Sequence, residues 1–368
     1  MSKGTTYRSE SRIERDAQTG APVRQVTIQA SIHHPPFYYV PPYDDSGKKL
    51  YFVSHRTGQP QVFFEDGRGG ALVQLTERPD LNEWSIHPSH DGRFVYFTAG
   101  TGAWRVNTQS LEVEQLAHFG DVPMREKGMV GAAMGTTALS SDDRYWCVPV
   151  KMGGCARMFI IDTTTARCEP ILERDTIGHP QFHPDDSSWI RYAGPYHERI
   201  WVVRRDGSGN KLVYRRNVER KEWIVHETWV HGSREILTVN WPHGIMGIDV
   251  DTGDTRWVQK FNAWHPMVSR DGTKMIADTK RQDVGLVLFD PRSNDAPRRT
   301  ICYPAASSQG DHWNVGHCPY DDGPVAVEAP QHTHPHPNFS PDGRYVVYTS
   351  DRTGFAQVYE VELPETSM

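Results

Sequence analysis

The chain has 368 residues, a formal net charge of -6, 23% charged residues and a mean hydropathy of -0.63. No apolar run approaches the roughly 20 residues that cross a bilayer, and the acidic balance gives no electrostatic case for binding nucleic acid or an anionic membrane. The length admits two ordinary domains or one large all-β domain, and with no linker or composition shift along it, a single domain over 1–368 is expected.

The N-terminal stretch MSKGTTYRSESRIERDAQTG is polar and lacks the apolar segment of a secretory signal. Residues 1–20 read as a tail or a first outer strand, and the following APVRQVTIQ is an alternating strand able to close a ring. Five cysteines are widely spread with no CxxC pair, so reduced thiols in a cytoplasmic protein are expected.

From Tyr43 onward one unit recurs: an apolar residue, a turn rich in Asp, Gly and Ser, then an alternating apolar strand. It begins at Tyr43 (YDDSGKKLYFVS), Ile86 (IHPSHDGRFVYFTAG), Leu139 (LSSDDRYWCVPV), Phe182 (FHPDDSSWIRYAG), Trp229 (WVHGSREILTVN), Val268 (VSRDGTKMIADT) and Phe339 (FSPDGRYVVYTS). Each unit is a hairpin signal. The spacing of about 40–50 residues is close to that of a four-stranded propeller blade. Seven units predict an all-β, seven-bladed β-propeller with four-stranded antiparallel blades. The interval before the last unit is about 25 residues too long, so residues 297–336 are expected to be a functional loop inserted before the last repeat.

Aligned on their turns, the last four units share a histidine just ahead of the strand: His179, His226 (with a one-residue adjustment), His265 and His336. A lone His-Pro at a strand entrance is ordinarily a turn residue, and His87, His183 and His231 are read that way. Four in register are different, because rotation about the propeller axis brings equivalent positions to one funnel. Alternation along an extended chain lets His334 and His336 face one ion, with Gln331 beside them if the chain bends. Imidazoles plus a neutral amide oxygen leave a bound cation largely uncompensated, which suits an ion that grips an anionic substrate; the mixed N/O set fits Mn²⁺, with Zn²⁺ or another divalent ion open.

The segments FYYVPPYDDSGKKLYF, HPQFHPDD, HETW, AWHPMVSRDG and QHTHPHPNFSPDG resemble the oligogalacturonate lyase family, whose members are cytoplasmic seven-bladed propellers that use manganese. The resemblance implies His265, Gln331, His334 and His336 as metal ligands, His226 as the base and Arg199 as a residue at the substrate. It implies β-elimination on a uronic-acid oligosaccharide: the metal neutralises the C6 carboxylate, His226 abstracts the C5 proton, and a 4,5-unsaturated sugar results. His179, His33 and His34 are expected to line the same funnel as substrate-binding residues. Oligomeric state stays open between monomer and homodimer. Competing readings are the same chemistry on another uronate oligosaccharide and a non-enzymatic TolB-like propeller scaffold, which needs no histidine ring. A propeller-bearing peptidase would need a hydrolase domain with a GxSxG elbow, which the sequence lacks.

Overall fold

The computed structural model describes residues 2–120, 135–152, 155–280, 282–308 and 333–364. Seven antiparallel sheets follow one another around a ring, five of four strands and two of five. In blades one to six the strands run from the axis outward in chain order. Blade seven is composite. Its inner three strands are Asn338–Phe339, Tyr345–Ser350 and Gln357–Glu362, and its fourth is Pro22–Gln25 from the other end of the chain. The expected closing strand is therefore present. Thr6–Tyr7 and Arg12–Arg15 add a fifth strand to blades one and seven, so the N-terminal segment is structured edge rather than a loose tail.

The turn chemistry explains the hairpins. In four blades a Ser hydroxyl donates to the Asp two residues on (Ser89–Asp91, Ser140–Asp142, Ser269–Asp271, Ser340–Asp342). The same Ser oxygen accepts a backbone N–H of the returning strand, as from Tyr345. Gly343 closes its turn at φ +65, a conformation costly for a residue with a Cβ.

The strands alternate, yet both faces are buried. In Lys49–Ser54, Tyr51 and Val53 pack toward blade two while Leu50 and Phe52 pack toward blade seven. A blade is sandwiched between two others, so each face of its sheet is an interior. Seven apolar clusters result, one between every successive pair of blades. The closing seam also buries charge. Arg24 reaches Glu65 of blade one at 2.6 Å and Glu360 of blade seven at 3.0 Å. Removing one member of such a buried group leaves the others uncompensated, at a cost of about 3–5 kcal/mol.

An eighth cluster, Phe37–Val40 with Trp84 and Met267, lies against the axial histidines. The Asn338 side-chain amide donates to the carbonyls of Tyr38 and Val40 and fixes it. Part of the segment 297–336, expected to be an inserted loop, is a blade strand: Arg299–Cys302 is the outer strand of blade six, pairing with Leu286–Phe289. Residues 309–332 lie outside the described residues.

Candidate metal and catalytic centre

The inner strands of blades four, five and six run six residues each (Gly178–His183, Ile224–Trp229, Ala263–Val268) and carry a bulge near the start. The register shifts fall between Gly178 and Gln181, Val225 and Thr228, and Ala263 and Pro266. His179, His226 and His265 sit within these bulges, which re-aim side chains out of the alternating pattern. His179, His226 and His336 also have left-handed backbones, with φ of 47, 55 and 48. Outside glycine each such residue costs on the order of 1–3 kcal/mol and persists where its surroundings hold it.

Ring contacts show what the bulges gather. His265 lies 4.2 Å from His336, 5.0 Å from His334 and 4.3 Å from His226, centroid to centroid. One ring nitrogen from each of His265, His334 and His336 lies within 4.8 Å of the others. The floor is aromatic: Phe37 stacks on His179 and meets His336 edge-on, and Tyr38 meets His226 and His265.

Two carboxylates organise this cluster. Asp278 is fully buried on the strand next to His265. Its oxygens lie 2.8 Å from His265 Nδ1 and 2.6 Å from the His265 backbone N–H, and the His336 backbone N–H points to it at 3.4 Å. With Nδ1 engaged, His265 turns Nε2 to the cluster, which is the carboxylate–histidine arrangement that orients metal ligands. Burial pushes His265 well below the ordinary histidine pKa, with His336, His226 and His334 adding to it. Burial pushes Asp278 well above the carboxylate range. Neutral imidazoles backed by a buried acid fit a divalent cation, whose charge would restore Asp278 to its anionic form.

The second carboxylate is Glu227, beside His226. Arg191 reaches it at 3.2 Å and Arg199 at 2.8 Å. Arg191 also donates to the carbonyls of His179 and Glu227, tying the bulges of blades four and five together. Burial raises the Glu227 pKa, but the charges of Arg199 and Arg191 outweigh it and hold the carboxyl below its usual range. His226 is pushed well below the usual histidine value, first by burial and then by Arg199, His179 and His336. Its Nδ1 is buried and has no hydrogen-bond partner among the described residues.

The remaining expected residues divide. His179 joins the cluster wall, and burial pushes its pKa down to about 3. The Arg199 charge lowers the pKa of both His226 and His179. His34 stacks on Trp84 at 4.4 Å, whose other neighbour is His336 at 5.8 Å, and is thus one indole removed from the cluster. His33 is not brought there. It is fully buried against Phe52, with Nε2 near the Gln29 carbonyl and the Ser31 hydroxyl, because consecutive strand residues point to opposite faces. Gln331 lies outside the described residues. The aromatic floor and Asp278 were missed by sequence reasoning; for Asp278 no signal exists, since its partner is 13 positions away on another strand.

A family model described as oligogalacturonate lyase matches residues 141–367. The oligogalacturonate lyase of Dickeya dadantii is 25% identical over 399 aligned positions, covering 100% of this chain and 99% of the relative. The oligogalacturonide lyase of Pectobacterium atrosepticum is 24% identical with the same coverage. A solved oligogalacturonate lyase in complex with manganese superposes with a TM-score of 0.81 at 24% identity, over 99% of each chain. With the model spanning blades three to seven, the chain belongs to the oligogalacturonate lyase family, polysaccharide-cleaving lyases that act on oligosaccharides.

Proposed function

We propose that the axial cluster is the lyase centre and cleaves short oligogalacturonates by β-elimination in the cytoplasm. The observation that carries this reading is the convergence of His265, His334 and His336, with donor atoms within 4.8 Å, beside a fourth imidazole, His226, that Asp278 does not engage. Manganese, which a solved relative holds, would be held by His265, His334 and His336, with Gln331 the fourth ligand that the family resemblance implies, and when bound would supply electrostatic stabilisation of the charge that builds on a uronate carboxylate. Cysteines 147, 155, 168 and 302 are all free thiols, which supports a reducing compartment.

The protein's own groups then divide the work. His226, held neutral by its surroundings, accepts the C5 proton. The C5–H electron pair becomes the C4–C5 double bond, the C4–O bond breaks with its pair leaving on oxygen, and that oxygen takes a proton from water to end as a hydroxyl while His226 returns its proton to solvent. Arg199 is held by Glu227 so that its charge faces His226, where it opposes protonation of the free base and meets the negative charge of a bound uronate. Phe37 and Tyr38 floor the cluster with apolar surface, which strengthens these interactions by excluding water.

The test is the ultraviolet absorbance of the unsaturated product from di- and trigalacturonate, after chelation and after readdition of Mn²⁺. The reading expects activity abolished by chelation and restored by Mn²⁺. Activity on a different uronate only would replace the substrate. Activity on galacturonates that survives complete metal removal would overturn the metal assignment.

A further inference from the structure

A second group of metal-type side chains lies between blades one and two, outside the machinery above: His34, His55 and Glu83, each offering one donor atom within 4.8 Å of the others. His34 is held rigidly. Its Nδ1 lies 2.8 Å from the Pro35 carbonyl, which only accepts, so Nδ1 carries the proton. In the neutral ring Nε2 is then a bare lone pair. That nitrogen is buried, has no hydrogen-bond partner among the described residues, and lies 3.5 Å from Glu83 Oε2. A lone pair facing a carboxylate oxygen is repulsive unless something positive stands between them.

Two things satisfy this geometry, a proton or a metal ion. Two ligands about 2.1 Å from a tetrahedral ion stand roughly 3.4 Å apart, close to the observed separation and longer than a charge-assisted hydrogen bond. Glu83 is fixed on a short 3-10 turn capped by Asn82, while the His55 and Glu83 side chains remain 24% and 22% exposed, leaving a route for an ion and its waters. His55 Nε2 lies 2.6 Å from Glu83 Oε2. These two partly exposed groups must open slightly, and any proton shared between them must leave, as metal binding releases protons generally.

We propose that His34, His55 and Glu83 form a second divalent-cation site. Two neutral imidazoles and one carboxylate leave a bound dication with a net positive charge, separated from the axial cluster by the Trp84 ring. An oligouronate carries a carboxylate on every sugar, so a second cation beside the first would bind the carboxylate of another sugar in the same oligomer. That use rests on the lyase reading; cation binding does not.

The experiment counts Mn²⁺ per full-length chain by mass spectrometry and calorimetric titration after stripping and reloading, in wild type, Glu83→Gln, His55→Asn and His334→Ala, each checked for its melting transition. The proposal expects two ions in wild type, one in Glu83→Gln and in His55→Asn, and none when Glu83→Gln is combined with His334→Ala. A wild-type count that Glu83→Gln and His55→Asn leave unchanged would overturn it and mean that a proton bridges His34 and Glu83. A count that His334→Ala leaves unchanged would instead contradict the axial metal site, so the two failures are distinguishable.

Discussion

Blades one and two and blades four to seven are built on the same two-faced strand, yet they treat the histidine of the inner strand differently. In blades one and two, His34 and His87 each turn Nδ1 onto the carbonyl of the proline that follows, at 2.8 and 3.0 Å. In blades four, five and seven the entrance histidine takes a left-handed backbone, and in blade six it sits in a bulge with its Nδ1 on Asp278. The scaffold is thus constant, and local backbone departure decides whether an imidazole serves the fold or the axis. Departures of this kind cost stability, and they are found where the protein concentrates its chemistry.

Breaking the axial side should cost function first. His334→Ala removes one of three converging donors. Losing a metal's several kcal/mol of charge stabilisation predicts a fall of about a thousandfold or more in kcat/KM, measured by product absorbance, with the melting transition retained. Glu227→Gln leaves Arg191, fully buried, without its full counter-charge and should destabilise by about 3–5 kcal/mol, read by denaturant unfolding; Arg199 loosens at the same time, so the surviving folded protein should also be slower. Asp278→Asn should weaken Mn²⁺ binding about 10–100-fold, read by calorimetry.

The matching change on the other side sharpens the contrast. His87→Ala should cost roughly 1–3 kcal/mol of stability with kcat unchanged, because burial pushes His87 to a pKa of about 4 and its ring is engaged in its own blade. The smallest effect is on pH. A base whose folded pKa is depressed is already neutral at pH 7, so kcat/KM should hold through the ordinary histidine value of 6.5 and fall only on further acidification. An acid limb at or above 6.5 would place the base elsewhere.

The ring was legible because its signals are periodic. Seven turns rich in Asp, Gly and Ser and seven alternating strands each carry a local physical requirement, and the histidine register followed from aligning them. Partnerships between neighbouring strands were not legible. Asp278 becomes a partner of His265 only when their strands pair, and Arg191 meets Glu227 only when blades four and five pack. The strand Arg299–Cys302 was absorbed into an expected insertion because it carries a single short apolar pair, Ile301 and Cys302. His33 and His34 looked equivalent in sequence, but one-residue alternation sent one into the interior and the other toward Trp84.

The central claim is that His226 abstracts a proton beside a separately held metal. The most direct measurement compares wild type and His226→Ala, each loaded with Mn²⁺, for bound metal and for the rate of unsaturated product from digalacturonate. The account predicts equal metal content and a rate reduced by about 10²–10⁴-fold. Equal metal content with an undiminished rate would contradict it.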